Sequence, residues 1–261
     1  MNLKGKSSKI QEFKTALLRN NLPVIEQLIK EDRSLVNFID DGWHILSTAV
    51  FYSSSSSVAA LIRNGADIKT AYYRSKEDPL LLAITKLGMT KESRDSKKAF
   101  KLLLNAYDKA GIPIHSYVNE SLVTYLSHAC MVGSMFAVNE LSQYYFTEEN
   151  KSLFYLLTKN NPIFIALANK NEEILQYLLH QFIGTFSHSL LDDERLFKEM
   201  LFYLRDINSY LVLMKEIRFN TSYDEDYKSE LIELMTKAFR ITLKFEDEYS
   251  LLMKALARIM E

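Results

Sequence analysis

The sequence predicts an all-α protein whose helices come in repeating pairs, and three observations carry that expectation. Glycine and proline are scarce, 7 and 4 in 261 residues, whereas sheets joined by tight turns draw on both. Apolar residues recur at steps of three and four, as in Phe13, Ala16 and Leu17 and again in Leu196, Met200, Leu201 and Leu204, which is helical spacing. An alanine in similar apolar surroundings returns at Ala16, Ala49, Ala83, Ala129 and Ala166, with gaps of 33, 34, 46 and 37 residues. Three of these gaps are close in size and one is long, and a recurring period of that size is the mark of stacked structural repeats.

Composition narrows the function classes. Hydrophobic residues make up 48% of the chain, enough for a sizeable core without metals or disulfides. Lys+Arg is 32 and Asp+Glu is 33, for a net charge of −1. This is not the basic footprint that neutralises a phosphate backbone, so nucleic acid is not an expected partner. The single cysteine, Cys130, has no intramolecular disulfide partner. Met1 to Lys9 is basic, but no apolar stretch follows it as in a Sec signal peptide. No apolar run is long enough to span a bilayer. The expected location on these grounds is the cytoplasm.

Each unit has supporting residues around its alanine. The first has Phe13 and Ala16, then Val24, Ile25, Leu28 and Ile29, with Pro23 near the start of its second helix, where a missing N–H costs nothing. The second has Leu46 and Ala49, the serine run Ser53 to Ser57 at the inter-helix turn, then Val58, Leu61 and Ile62. Serines at that turn suit the cap of the second helix. The third has Asp78-Pro79-Leu80-Leu81-Leu82-Ala83, with its second helix late, at Phe100 to Leu104. The polar stretch Met89 to Lys98 between them reads as an inserted loop. The fourth has Leu126, Ala129, Gly133 at the turn, Val138 and Leu141. The fifth has Asn161-Pro162-Ile163, Ala166, Ile174, Leu175, Leu178 and Leu179.

The second unit is the most informative. Asp41-Gly42-Trp43-His44-Ile45-Leu46-Ser47-Thr48-Ala49, followed by Val58, Leu61, Gly65, Ala66 and Asp67, resembles an ankyrin repeat, whose pattern is G-x-T-P-L-H-x-A, then V-x-x-L-L, then G-A-D. Gly42, Leu46, Ala49, Val58, Leu61, Gly65, Ala66 and Asp67 match. His44, Ile45 and Ser47 stand where Thr, Pro and His belong, so the hydrogen bonds of that Thr and His are not expected in their usual form. Gly65 closes the second helix where a left-handed residue is wanted. The resemblance extends over residues 8–183. It implies an ankyrin-type helical repeat solenoid of about five degenerate repeats over residues 1–187, followed by a C-terminal α-helical capping module over residues 188–261. Leu22-Pro23 with Ile29 also resembles the opening of an F-box, but the repeat register independently predicts a helix there.

After Gly184 the register fades, and helical stretches are expected near 190–205, 207–218, 223–243 and 245–260. Ser222 with Asp224, Glu225 and Asp226 is a good helix start. A module here would cover the apolar face that an end repeat leaves open. Two further, drifted repeats are the alternative.

The sequence contains no G-x-S-x-G, H-E-x-x-H or G-x-x-x-x-G-K-[ST]. His128 and Cys130 are two residues apart, with no second pair to complete a zinc site. The acidic clusters Asp192-Asp193-Glu194 and Glu246-Asp247-Glu248 fit helix starts. No cofactor, metal or small-molecule substrate is expected.

The ankyrin resemblance implies binding to a protein through the hairpin tips and the outer face of the first helices. Carried over one by one, those positions are Asp40, Asp41 and Trp43 on one tip, Phe51 and Tyr52 late in the first helix of the second unit, Tyr72, Tyr73 and Arg74 on the next tip, and Lys86 in the third unit. Trp, Tyr and Arg are the types that dominate interface energetics. The degenerate repeats and the Glu-rich C-terminus also resemble ankyrin-repeat effectors that intracellular bacteria such as Legionella inject into host cells, which implies a host protein as partner. The alternative is an effector enzyme whose activity lies in the C-terminal helices. Residues 189–261 contain no His or Cys, so acid–base work there would fall to carboxylates, Lys or Tyr.

Overall fold

The computed structural model describes residues 3–74, 77–115, 123–155, 159–186, 193–204, 206–221 and 223–242. Those residues are mostly helical, as the spacing predicts. The expected helix 245–260, Ser222 as a cap, the Glu246–Glu248 cluster and the 187/188 boundary lie outside the described residues. The chain divides into two compact units, Met1–Leu141 and Ser142–Glu261.

In the first unit the helices pair as hairpins: α1 (Leu3–Leu18) with α2 (Leu22–Glu31), α3 (Ile45–Tyr52) with α4 (Ser55–Arg63), and α6 (Pro79–Met89) with α7 (Arg94–Lys109). They are followed by α8 (Tyr125–Val132) and α9 (Met135–Tyr145); the short α5 (Ile68–Arg74) lies between the second and third hairpins. First helices pack on first helices, α1 on α3, α3 on α6, α6 on α8. Second helices do likewise, α2 on α4 and α4 on α7. Phe136 of α9 joins that second layer through Phe100 of α7, ring centroids 6.0 Å apart.

A common register explains why each hairpin forms. Ala16, Ala49, Ala83, Ala129 and Ala166 are all buried, and so are their next neighbours Leu17, Val50, Ile84, Cys130 and Leu167. Five residues before the alanine stands a capping side chain. His44 Nδ1 accepts from the Leu46 amide (3.1 Å), Asp78 from Leu81 (2.7 Å), Thr124 from Ser127 (3.0 Å) and Asn161 from Ile163 (2.9 Å). Each satisfies a backbone donor that the first turn of a helix leaves over. His44 thus caps α3 through its imidazole, and Ser47 donates to the Glu77 carbonyl (3.0 Å). Four residues after the alanine the chain turns through a left-handed residue in three hairpins: Asn20 (φ 53°), Gly133 (φ 70°) and Lys170 (φ 56°). The next residue caps the second helix: Asn21 for Val24, Ser134 for Ala137 and Asn171 for Ile174. Nine residues after the alanine, Ile25, Val58, Val138 and Leu175 are fully buried.

Two expectations are corrected. The stretch Met89 to Lys98 is not an inserted loop. Most of it is helix, because Ser93 caps α7 at the Ser96 amide (3.2 Å) and the extra residues lengthen both helices of the hairpin. α6 has 11 residues against 8 in α3, and α7 has 16 against 9 in α4. The serine run does not cap α4 by its own side chain at Ser54. Asp95 of α7 does so, with both carboxylate oxygens on the Ser55 amide (3.0 and 3.1 Å) and one on the Ser55 hydroxyl (2.6 Å).

The second unit contains a 3-10 segment (Glu148–Tyr155) and the helices α10 (Pro162–Ala168), α11 (Glu172–Phe186), α12 (Glu194–Tyr203), α13 (Ile207–Phe219) and α14 (Glu225–Thr242). α10 packs on α12 and α11 on α13, the pairing of like with like seen in the first unit. Asp193, Asp206 and Asp224 cap α12, α13 and α14. The buried aromatics Phe154, Phe164, Phe182, Phe197 and Tyr210 fill its interior.

Close approach of α6 and α8 depends on Gly88, where a Cβ would lie 2.8 Å from Val132 Cβ and 3.0 Å from the Val132 carbonyl. Gly88→Val is expected to cost about 1–3 kcal/mol through overpacking, read as a lower urea midpoint with unchanged m-value. Asp95→Ala removes the cap of α4 and is expected to cost about 1–2 kcal/mol by the same measurement. An Asp95→Ala midpoint equal to wild type would show that α4 does not need its neighbour.

Candidate partner-binding face

The residues expected to bind a partner fall into two groups. The first is built on a two-stranded hairpin ahead of α3. β1 (Ile39–Asp40) pairs antiparallel with β2 (Trp43–His44), with Ile39 opposite His44 and Asp40 opposite Trp43. The two-residue turn is Asp41-Gly42, both at positive φ (48° and 82°), the combination that a type I′ hairpin turn requires. An ion pair between Lys14 and Asp40 ties the hairpin to α1. Trp43 is half-buried and Asp41 exposed.

α5 packs against β2. Its start is fixed by Asp67, whose carboxylate accepts from the Thr70 amide (3.0 Å) and hydroxyl (2.8 Å), bonds that hold its carboxyl below the usual aspartate range. Tyr72 is half-buried with its ring edge-on to the buried Tyr107 (5.9 Å), and Tyr73 stands off Tyr72 (4.7 Å). The outcome is a tyrosine held by its neighbour yet 72% exposed, next to the exposed Arg74. Asp40, Asp41, Trp43, Tyr72, Tyr73 and Arg74 therefore share one end of the second and third hairpins.

Phe51, Tyr52 and Lys86 sit at the other end of α3, about 12 Å away along an eight-residue helix. Phe51 and Tyr52 meet edge to face (5.0 Å). The Lys86 amine is half-buried and donates to the carbonyls of Val50 (2.9 Å) and Ser53. Burial lowers its pKa, with Asp95 pulling the other way. Its position in the fold is that of a C-terminal cap on α3.

Beneath the tip lies a buried polar cluster that sequence reasoning missed. Asp78 Oδ2 accepts from the hydroxyls of Tyr125 (2.9 Å) and Tyr107 (3.2 Å), while Oδ1 accepts from the Leu81 amide (2.7 Å). The cluster joins α6, α7 and α8. Burial pushes the Asp78 carboxyl up to about 6 against the opposing effect of those donors, and raises both tyrosines. His44, also buried, is pushed down to about 4, so its imidazole is neutral when it caps α3. The only sequence signal for the cluster was Asp78 in a cap position.

Among the described residues no three His, Cys, Asp or Glu side chains come together as a metal-binding group, and no helix is long and apolar enough to cross a membrane. No family model matches the chain, and no curated protein matches it.

The raised Asp78 pKa fixes the sign of a pH effect. The folded state holds this proton more tightly than the unfolded chain, so the associated stability is present below about pH 4 and is lost as pH rises through about 6. Asp78→Asn cannot titrate and keeps an acceptor for the Leu81 amide. The stability of wild type relative to this variant is expected to fall between pH 4 and 7 in chemical denaturation. A pH-independent difference would contradict it.

Proposed function

We propose that this chain is a protein-binding module of the ankyrin-repeat type and that its partner docks on the tip formed by Trp43, Tyr72, Tyr73 and Arg74. The observation that carries this reading is the setting of Tyr73, a large aromatic side chain 72% exposed on a short helix anchored from below by Tyr72 and Tyr107. A rigid exposed aromatic loses little freedom on binding, and Tyr, Trp and Arg supply most hot-spot energy in protein interfaces. The repeated caps and buried alanines support the repeat assignment, because each reproduces in a degenerate residue the job that the ankyrin pattern gives to its own.

The test is capture from a eukaryotic cell lysate, the source that the effector resemblance implies, with wild type beside Tyr73→Ala/Arg74→Ala. Both positions are exposed, so the variant is expected to melt with wild type while its affinity for the captured protein drops by about 2 kcal/mol or more. Equal capture by a folded variant would move the interface away from this tip. Trp43→Ala separates two roles of the half-buried indole: an early melt assigns it to packing, weak capture at wild-type stability to binding.

A further inference from the structure

The opposite end of the first unit's first helices carries a different surface. α1, α3, α6 and α8 each bring a large apolar side chain to solvent in their last turn: Leu18 (54% exposed), Tyr52 (54%), Met89 (68%) and Met131 (48%). These ends are linked one to the next. Ser53 donates to the Leu17 carbonyl (2.8 Å), Lys86 to the Ser53 carbonyl, and Glu92 accepts from the Ser134 hydroxyl (2.9 Å) and the Phe136 amide (2.8 Å). The four apolar groups therefore lie along one edge.

Exposed cations accompany them: Arg19 beside Leu18, then Lys91, Arg94 and Lys98. Among the described residues none of these four is in an ion pair. Two carboxylates share this edge, Asp95 at the start of α4 and Glu92 at the start of α9 and on Lys97 (3.1 Å), so the cations outnumber them. The edge thus presents positive charge interspersed with apolar side chains. It is also a ridge: counted from the buried alanine, α6 runs three residues further than α3, so Met89 projects about 5 Å beyond the level of Tyr52. An apolar helix or strand from a partner needs a groove or a sheet edge. Separate apolar prongs among Lys and Arg on a ridge suit a broad, negatively charged surface with an apolar layer beneath it.

We propose that this edge is a membrane-association surface that seats on an anionic lipid bilayer, with Leu18, Tyr52, Met89 and Met131 entering the headgroup boundary and Arg19, Lys91, Arg94 and Lys98 facing lipid phosphates. The docking tip at the far end of the same helices stays clear of the lipid, so one unit can hold a bilayer and a protein together.

The experiment is flotation of the full chain with vesicles of phosphatidylcholine alone and of phosphatidylcholine mixed with phosphatidylserine. Wild type is expected to float only with the phosphatidylserine vesicles, less so as salt rises and the Debye length shortens. Lys91→Glu/Arg94→Glu is expected to weaken binding by at least roughly tenfold. Both positions are exposed, and an acid at the first residue of α7 suits the helix dipole, so its melting curve should match wild type. Met89→Ser is expected to weaken binding at constant salt without altering the fold. If the double variant melts early, Lys98→Glu takes its place. Failure of wild type to float with either vesicle overturns the proposal, as does undiminished binding by a folded charge-reversal variant. Retention of wild type on immobilised polyglutamate without any vesicle binding also overturns it and assigns the edge to an acidic protein segment.

Discussion

A helix of eight residues is nearly all ends. Its first four amides and last four carbonyls have no partner within the helix, so α3 depends on groups outside itself for half of its backbone polar groups. The first unit answers this with side chains from three sources. Residues just before a helix cap it, as His44 and Thr124 do. Residues in the turn cap the next helix, as Asn21 and Ser134 do. Neighbouring hairpins supply the rest: Lys86 takes the last carbonyls of α3, Asp95 the first amide of α4, and Glu92 an early amide of α9. Burial opposes the charge of Glu92, yet the Phe136 amide, Lys97 and Ser134 hold its carboxyl below the usual glutamate range. Apolar contact drives the layers of helices together, and this mutual capping lets them close, because burying an unsatisfied helix end costs about 1–3 kcal/mol per group.

How much of this could be read in advance depended on whether a signal was local. The alanine positions, the left-handed Gly65 and Gly133, and Pro23 in the first turn of α2 leave their mark within a few residues, and the helices follow from them. The lengthened α6–α7 hairpin is not legible in the sequence because Met89 to Lys98 is polar, and polarity describes a solvated face as well as a loop. Asp95 on Ser55 and Glu92 on Phe136 span 40 and 44 residues of sequence, and no periodic pattern marks such a contact. The same limit applies to the expected binding residues. The resemblance gives positions along a repeat, and six of them share a tip. It says nothing of a lysine amine turned inward to carbonyls, which is where Lys86 is found.

The third hairpin is the departure on which much else turns. Its extra length lets one turn reach both neighbours, touching α4 on one side through Asp95 and α9 on the other through Glu92. To do so Lys91 and Glu92 both adopt left-handed backbone (φ 47° and 57°), a conformation costly for residues with a side chain. The return is two charge-assisted caps, each stronger than a neutral one. The buried Asp78 cluster beneath the same hairpin joins α6 to α7 and α8 through tyrosine hydroxyls. Loss of Asp78, Glu92 or Asp95 is therefore felt in the neighbouring hairpins.

Cys130 occupies the core position filled by Leu17, Val50, Ile84 and Leu167 in the other hairpins, and it is wholly buried. Burial also raises its thiol pKa, so little of the reactive thiolate exists in the closed state. As the chain has no other cysteine, a thiol reagent has a single target, and that target is reached only when α8 lifts from its neighbours. The protein thus carries a built-in chemical clock for the opening of its fourth hairpin, readable without introducing a label into the sequence.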